Sequence, residues 1–300
     1  MFPTLCMRHA FRVFSNTCTG AAASRGVQVQ AGNNRLHHKH ITLAHLHASP
    51  GLATSHRWHP NPELSEAGVQ PTGAAKLCPR QTFVKGLLLD VAGTLLSPSE
   101  PITEVYRRYD VGHKLKLSDD EMLFRFRAAY NKPWTRSSLR YVGDAKDFWR
   151  FMVAETTGCD DDDYFESVYE YYEWPEAWTV APGARECLQT LRKMGVKTAI
   201  VSNFDMRLPL ILDRMNLTPL LDAVVVSAEV QAEKPNPVIF QAAVDQLRLR
   251  PEECVHVGDD RRNDLWGARD AGCHALLWGL DVRDMKQVVE WVQNGCIHDD

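Results

Sequence analysis

The sequence predicts an α/β fold, in which a doubly wound, Rossmann-like parallel sheet has a helical cap domain inserted after its first strand. Short apolar runs alternate with helix-length segments along the body of the chain. Between the first and second runs lies an insert of roughly 80 residues, which is too long for a simple strand-to-helix loop. Strands that alternate with helices in this way pair in parallel.

Five apolar runs have the length and composition of strands buried on both faces: 84–89, 197–201, 223–226, 254–257 and 274–277. Helix-length segments accompany the later runs at 183–194, 207–215, 237–247 and 263–271. Gly195 and Gly272 are predicted to end the first and last of these helices, because glycine readily adopts the left-handed conformation found just after a helix.

The insert is predicted to form the cap over residues 97–176, with the α/β core built from residues 81–96 and 177–300. It is rich in aromatic side chains from Tyr130 to Trp174. Such a pattern is more typical of the core of a small helical bundle than of a ligand-binding box. We expect the cap to cover the carboxyl ends of the strands, where open α/β sheets bind their ligands.

Residues 1–80 have the composition of a leader. Residues 1–62 contain no Asp or Glu but six Arg or Lys, which is typical of an organellar transit peptide when Ser and Ala are also frequent. We therefore expect an organellar protein, with the mitochondrion slightly favoured over the chloroplast. The alternative is an unprocessed tail, which would leave the protein in the cytoplasm.

The body is acidic, and its charge narrows the range of partners. From Gln81 onward, 26 Lys and Arg stand against 36 Asp and Glu, a net charge of −10, so nucleic acid is not an expected partner. No apolar run approaches the roughly 18 residues needed to cross a membrane. The eight cysteines form no CxxC pair, which indicates reduced thiols rather than a zinc site. A small phosphorylated substrate is compatible with this charge, and the oligomeric state is open.

Polar elements follow the first four apolar runs: Asp90–Leu95, Ser202–Asn203, Lys234–Pro235 and Gly258–Asp264. In a parallel sheet these positions converge on one edge, so that carboxylates, a hydroxyl and an ammonium would share a crevice. One strand-final Asp is weak evidence, because it is often a turn residue. Four such elements in order predict a catalytic or binding site.

These elements resemble the four motifs of the haloacid dehalogenase (HAD) superfamily, in the right order and over residues 83–278. Asp90–Leu96, Ser202–Asp205 and His256–Asp259 further resemble its haloacid dehalogenase-like hydrolase domain-containing protein 3 subgroup. The resemblance implies that Asp90 is a nucleophile forming an aspartyl-phosphate, that Mg²⁺ is the cofactor, and that the substrate is a small phosphorylated metabolite.

By the same resemblance, Asp90, Asp259 and the backbone carbonyl of Ala92 would bind Mg²⁺, and Asp264 would support the metal site indirectly or through a water molecule. Carboxylate and carbonyl oxygens are the ligands that Mg²⁺ prefers. Replacing the side chain at position 92 would leave a carbonyl ligand in place.

The resemblance also implies a phosphate-binding set. Ser202 and Lys234 would hold the phosphoryl oxygens and offset charge that develops during transfer, with Asn203 beside them. Gly93 would let the backbone turn tightly next to the phosphate, and Thr94 would orient the loop.

Ala92 departs from the phosphatase pattern, in which a second Asp stands two residues after the nucleophile. That Asp protonates the leaving alcohol and then activates water, and such assistance is worth typically ~10²–10⁴-fold. The expected function is therefore a hydrolase with weakened activity. Two alternatives stay open: a non-catalytic binding or regulatory protein on this fold, and a phosphonatase-like enzyme that cleaves a C–P bond with a lid lysine (Lys114, Lys116, Lys132 or Lys146).

Overall fold

The computed structural model of the chain describes residues 84–112 and 115–294. The leader predicted at 1–80 lies outside these residues, and both its targeting role and the boundaries of core and cap stay predictions. Within this part of the chain, no helix combines the length and apolar character needed to cross a membrane. The cysteines described here are free thiols at Cys159, Cys187, Cys254 and Cys273.

The described residues form seven strands: β1 (Gly86–Leu89), β2 (Leu96–Pro98), β3 (Trp178–Val180), β4 (Lys197–Ser202), β5 (Ala223–Val226), β6 (Cys254–Gly258) and β7 (His274–Leu277). Five of them make one sheet in the order β5-β4-β1-β6-β7, and all four neighbouring pairs are parallel. The predicted α/β fold class is confirmed. The chain turns to opposite sides of β1 to reach β4 and β6, which is the arrangement that opens a binding crevice.

The described helices, in chain order, are α1 (Ile102–Arg108), α2 (Asp119–Asn131), α3 (Lys146–Thr157), α4 (Asp162–Tyr171), α5 (Ala184–Lys193), α6 (Leu208–Arg214), α7 (Ser227–Val230), α8 (Pro237–Leu247), α9 (Gly267–Asp270) and α10 (Met285–Asn294). A π-helical segment, Arg261–Trp266, precedes α9. Short 3₁₀ turns occupy Pro175–Ala177, Thr218–Leu220 and Pro251–Glu253.

Alternate side chains of the central strands pack into different cores on the two faces of the sheet. Leu87 and Leu89 of β1 pack against α5, α6 and α10 on one face, whereas Leu88 packs against α8 and α9 on the other. This is the two-residue period of a strand. Apolar residues on both faces explain why the strands are near-continuous apolar runs in the sequence.

The insert joins the core through a small second sheet. Strand β2 pairs antiparallel with β3, so that Leu96 lies opposite Val180 and Pro98 opposite Trp178. The four helices α1–α4 lie between these two strands in the chain. Ser118 caps α2 by accepting a hydrogen bond from the Glu121 backbone at 3.2 Å, which satisfies one of the unpaired amides of its first turn.

Some aromatic residues of the insert both form its core and line a cavity. Phe148 and Phe165 are each 2% exposed and belong to two separate apolar clusters of the cap. Phe165, Tyr130 and Trp149 also line the cavity described below. The bundle core predicted from the aromatic pattern is present, and part of that core faces a ligand-sized space.

Local differences from the expected elements have identifiable causes. The predicted helix 263–271 is split into the π-helical segment and α9. A Cβ on Gly267 would lie 2.9 Å from the Cα of Pro235, so a glycine is needed where this segment crosses the loop of Lys234. The predicted strand 84–89 begins only at Gly86. Helices α7 and α10 were not predicted.

Candidate active site

Lys234 lies at the centre of a buried ionic cluster at the carboxyl ends of the strands. Its Nζ lies 2.7 Å from Oδ1 of Asp90 and 2.6 Å from Oδ1 of Asp264, and it donates to the Val201 carbonyl at 3.0 Å. Ser202 donates its hydroxyl to the same oxygen of Asp90 at 3.2 Å. Asp90 is therefore in direct contact with the other two side chains predicted as catalytic, Ser202 and Lys234.

Sheet register explains how Asp90 and Ser202 meet. Leu89 lies opposite Ile200 of β4 and Val257 of β6, and the Asp90 amide donates to the Val257 carbonyl at 2.9 Å. Asp90 thus continues the central strand by one residue, which brings it level with Val201 and next to Ser202, the last residue of β4. Its position is fixed by backbone pairing rather than by a flexible loop.

Asp264 reaches the cluster from the π-helical segment and is fixed on both oxygens. Oδ1 lies 2.9 Å from Nε2 of His256, and Oδ2 accepts from the Asp260 backbone at 2.9 Å. A Cβ on Gly258 would lie 2.7 Å from the Cβ of Asp264. Glycine at position 258 is therefore required for the carboxylate to approach the end of β6.

Three buried carboxylates at one edge of the site are placed so that they could bind a metal ion together. Asp90, Asp259 and Asp264 each offer a carboxylate oxygen, and these oxygens lie within 4.8 Å of one another. Together with the Lys234 ammonium, the three carboxylates have a formal charge of −2. Hard oxygen donors and this charge fit Mg²⁺. The donor set thus fits the predicted cofactor.

The electrostatics of the cluster separate the two carboxylates that contact Lys234. Burial raises the pKa of the Asp90 carboxyl, and the Lys234 ammonium opposes that rise. Burial also acts on Asp264, but there the Lys234 ammonium and the His256 hydrogen bond outweigh it and hold the pKa below its usual range. Burial lowers the pKa of Lys234, yet Asp264 and Asp90 outweigh this effect and raise that pKa above its ordinary value. Lys234 is therefore protonated and Asp264 ionised.

Asn203 holds the loop of Lys234 by its backbone. Its Oδ1 accepts from the Lys234 amide at 2.6 Å, and its Nδ2 donates to the Lys234 carbonyl at 3.1 Å. Both ends of the Asn203 amide are thereby occupied. Its role in binding phosphate stays a prediction. Its two bonds hold the backbone of Lys234, from which the ammonium extends into the site.

The loop after β1 turns sharply at Gly93. This residue has a φ of 88°, in the left-handed region that favours glycine, and its amide donates to the Leu96 carbonyl at 2.8 Å. Thr94 is 3% exposed, and its hydroxyl has no hydrogen-bond partner among the described residues. Ala92 lines the cavity over the site. The phosphate-binding roles of Gly93 and Thr94 and the metal-binding role of the Ala92 carbonyl stay predictions.

A cavity of about 330 Å³ lies over the cluster, between the core and the insert. It is lined at its base by Asp90, Ser202, Lys234 and Asp259, and above them by side chains of the insert. The volume falls at the lower end of the range for small-molecule sites. The predicted lid over the strand ends therefore encloses a space for a small ligand.

Two sets of hydrogen bonds hold the insert against the loops of the site. Trp149 of α3 donates its indole N–H to Oδ2 of Asp205 at 2.9 Å. Asp205 in turn pairs with Arg207, whose Cζ lies 3.7 Å from the centre of the Tyr169 ring in α4. Glu233, next to Lys234, accepts the Arg140 backbone amide at 2.6 Å.

A family model described as haloacid dehalogenase-like hydrolase matches residues 84–272. The chain belongs to the haloacid dehalogenase-like hydrolase family. The matched range includes every residue predicted for the site, from Asp90 to Asp264. The superfamily membership inferred from the four motifs is confirmed.

Several HAD-like relatives are similar over most of their length. The haloacid dehalogenase-like hydrolase domain-containing protein 3 of Xenopus laevis is 30% identical over 198 residues, 63% of this chain and 81% of that protein. A glyceraldehyde 3-phosphate phosphatase of Methanopyrus kandleri is 30% identical over 200 residues, 63% of this chain and 82% of that protein. Among solved structures, a HAD phosphatase from Thermococcus onnurineus has a TM-score of 0.53 at 27% identity, covering 69% of this chain and 97% of that one.

Two site residues of this HAD-like chain received no role from the sequence. His256 is fully buried and bonds Asp264, with its ring packed edge-on against Phe240 at 5.1 Å. Asp260 caps the π-helical segment by accepting from the Arg262 and Asn263 amides at 2.8 and 2.7 Å. The signal for His256 was a polar residue inside an apolar strand, which by itself does not reveal a partner on another element.

Proposed function

We propose that this chain is a divalent-metal-dependent phosphohydrolase that removes the phosphoryl group of a small phosphorylated metabolite, with Asp90 as the nucleophile. The observation that carries the proposal is the contact of Asp90 with both Ser202 and Lys234 at the edge where three carboxylates meet. A phosphatase among the relatives that are similar along most of their length supports it.

The first half of the reaction transfers the phosphoryl group to Asp90. A carboxylate oxygen of Asp90 forms a bond to phosphorus as the bond to the leaving oxygen breaks. The Ser202 hydroxyl and the Lys234 ammonium hold the phosphoryl oxygens and offset their charge in a buried site, where such contacts act strongly. When bound by Asp90, Asp259 and Asp264, Mg²⁺ would supply charge neutralisation between carboxylate and phosphoryl group.

The second half returns Asp90 to its free state. A water oxygen attacks phosphorus and loses a proton to solvent or to a phosphoryl oxygen, the bond between phosphorus and the Asp90 oxygen breaks with its electron pair returning to the carboxylate, and phosphate leaves. Position 92 offers no side chain to take the proton from this water or to give one to the leaving group. Because general acid–base assistance is worth typically ~10²–10⁴-fold, turnover of ordinary alkyl phosphates is expected to be slow.

The test is turnover of a panel of phosphate esters and acyl phosphates by the full chain with millimolar Mg²⁺. Asp90→Asn should abolish turnover, since an amide is not a competent nucleophile. Asp270→Asn is the matched control, because Asp270 lies exposed on α9 away from the site. Equal turnover by the Asp90→Asn variant and the wild type would exclude the proposal.

Thermal unfolding gives a second readout that does not depend on activity. A cation that binds the native state raises Tm, so Mg²⁺ should raise it for the wild type and the Asp270→Asn control. Asp259→Asn should reduce the rise. A protein stabilised by Mg²⁺ but inactive on the whole panel would instead support the alternative of a non-catalytic binding protein.

The phosphonatase-like alternative requires a lysine of the insert within reach of the substrate. Lys132 pairs with Glu155 and Lys146 with Glu166, and Lys116 is exposed. None of these lysines lines the cavity, while Lys114 lies outside the described residues. The geometry thus favours hydrolysis of a P–O bond.

A further inference from the structure

The cavity over Asp90 has an aromatic lining. Ten of the side chains that line it are aromatic, and eight of these belong to the segment between β2 and β3. Phe126 and Tyr130 lie on α2, Trp149 on α3 and Phe165 on α4. Such walls favour an apolar ring, which gains from leaving water and from packing against other rings.

The basic side chains that line the cavity are already paired with carboxylates. Arg207 and Lys234 are the basic residues among the described side chains that line the cavity. Arg207 makes two hydrogen bonds to Asp205 at 2.9 and 2.8 Å, and Lys234 contacts two carboxylates. A second phosphate or a carboxylate on the substrate would therefore be buried without a counter-charge, which is costly.

Ala92 lines the same cavity. Independently of the aromatic lining, it restricts which leaving groups can depart readily. A methyl group cannot donate a proton, so at this position the leaving oxygen departs as an anion. A phenol resembles the tyrosine side chain, with a pKa of about 10, and its anion is a much weaker base than an alkoxide. An aryl oxygen therefore leaves without the missing acid.

We infer that the substrates are small aryl phosphates, the phosphate monoesters of a phenol whose ring occupies the aromatic cavity. The inference rests on the proposed function and narrows it. The Asp90 oxygen bonds to phosphorus, the bond between phosphorus and the aryl oxygen breaks with its electron pair leaving on the phenolate, and water supplies the proton. A cavity of about 330 Å³ suits a small molecule rather than phosphotyrosine within a protein chain.

The experiment compares kcat/KM of the full chain with Mg²⁺ on matched substrates. Phenyl phosphate should exceed cyclohexyl phosphate, of similar size, by about 10²-fold or more. Phenyl phosphate should also exceed 4-carboxyphenyl phosphate, which keeps an aryl leaving group but adds an anion. Preference for cyclohexyl phosphate, or for a phosphotyrosine peptide over phenyl phosphate, would overturn the inference.

Two variants separate the contribution of the aromatic lining from that of the missing general acid at position 92. Phe126→Ala should lower kcat/KM for phenyl phosphate more than for acetyl phosphate, which has no ring. Phe124→Ala is the matched control, since Phe124 lies on the same helix, is 65% exposed and is not part of the lining. Ala92→Asp should reduce the ratio of phenyl to cyclohexyl phosphate turnover by about 10²-fold. An unchanged ratio, or equal effects of the two Phe variants, would count against the inference.

Acetyl phosphate distinguishes failure of this inference from failure of the proposed function. Its leaving group needs no proton and fills little of the cavity. Turnover of acetyl phosphate without preference for aryl esters would overturn the inference and leave the phosphohydrolase intact. No turnover of any substrate would overturn both.

Discussion

The indole N–H of Trp149 in the insert donates to the Asp205 carboxylate in the core, with 2.9 Å between Nε1 and Oδ2. Asp205 is fully buried, so this bond is protected from water. The same carboxylate also accepts two bonds from the Arg207 guanidinium. One buried acid therefore connects α3 to the loop that follows β4 and Ser202.

Loss of the indole donor should weaken this connection. Trp149→Phe is expected to lower the free energy of unfolding by about 1–3 kcal/mol, because a buried acceptor loses one partner. Trp134→Phe is the matched control, since Trp134 packs edge-on against Phe148 at 5.4 Å and does not bond Asp205. Urea unfolding measures both variants, and equal losses would argue against a specific contribution of the Trp149–Asp205 bond.

Removal of the Asp205 carboxylate should have a larger effect. Asp205→Ala leaves the Arg207 guanidinium, whose side chain is 9% exposed, without its counter-charge, and breaking a buried pair in this way costs about 3–5 kcal/mol. Asp213→Ala, at an exposed position on α6, should change the stability little. A small effect of Asp205→Ala in chemical denaturation would mean that Arg207 finds water or another acceptor.

Gly258→Ala should disrupt the site without replacing a charged residue. The added Cβ would lie 2.7 Å from the Cβ of Asp264 and push that carboxylate away from Lys234 and His256. Loss of a supporting contact of this kind lowers metal affinity or activity by about 10–100-fold. Titration of Tm against Mg²⁺ reads out the affinity.

Gly195→Ala serves as the control for Gly258→Ala. An added Cβ at Gly195 meets nothing within 4 Å, although the residue has a φ of +78°. It should therefore cost about 1–2 kcal/mol of stability and leave Mg²⁺ affinity unchanged. If both variants weaken Mg²⁺ binding alike, the position of Asp264 is not the cause.

Glu253 should make the stability of the fold depend on pH. The hydrogen bond from Lys85 at 2.7 Å, with that of the Arg250 backbone, lowers the pKa of Glu253 from 4.5 to about 2. A lowered pKa stabilises the fold above the unfolded value, and this contribution is lost as pH falls from about 4.5 to about 2. Glu253→Gln should thus be less stable than the wild type at pH 7, with the difference disappearing near pH 2.

Urea unfolding across this pH range tests the prediction for Glu253. Glu252→Gln is the matched control, because Glu252 is an exposed neighbour whose ion pair with Arg250, at 3.0 Å, lies on the surface, and exposed pairs contribute at most about 1 kcal/mol. A difference between Glu253→Gln and wild type that stays constant down to pH 2 would refute the assigned cause.

The sequence was sufficient for the positions of Asp90, Ser202 and Asp259, because each follows or ends an apolar run and parallel pairing brings adjacent strand ends together. It could not specify that Asp264 contacts Lys234 directly. That contact depends on the space left by Gly258 and on the turn capped by Asp260, and both depend on how β6 and the π-helical segment pack together.

The dual use of the aromatic residues was also beyond the sequence. Phe148 and Phe165 are both buried aromatic residues on helices of the insert, yet of these two only Phe165 lines the cavity. Which ring faces the cavity depends on how the insert is placed over the core. That placement involves contacts between residues far apart in the sequence, such as those of Trp149 and Glu233. By contrast, α10 could have been predicted, since Met285, Val288 and Val292 recur at helical intervals and are buried.

The pairing of β2 with β3 has a consequence for how the fold can change. Leu96 and Val180 lie opposite each other although the whole insert separates them in the chain. The insert therefore leaves and re-enters the core at adjacent positions, as the loop of a β-hairpin does. Lengthening, shortening or exchanging the insert alters what enters the cavity without moving the ends of β1 or β4. If the proposed function holds, the residues that select the substrate and those that carry out phosphoryl transfer can thus vary separately in evolution.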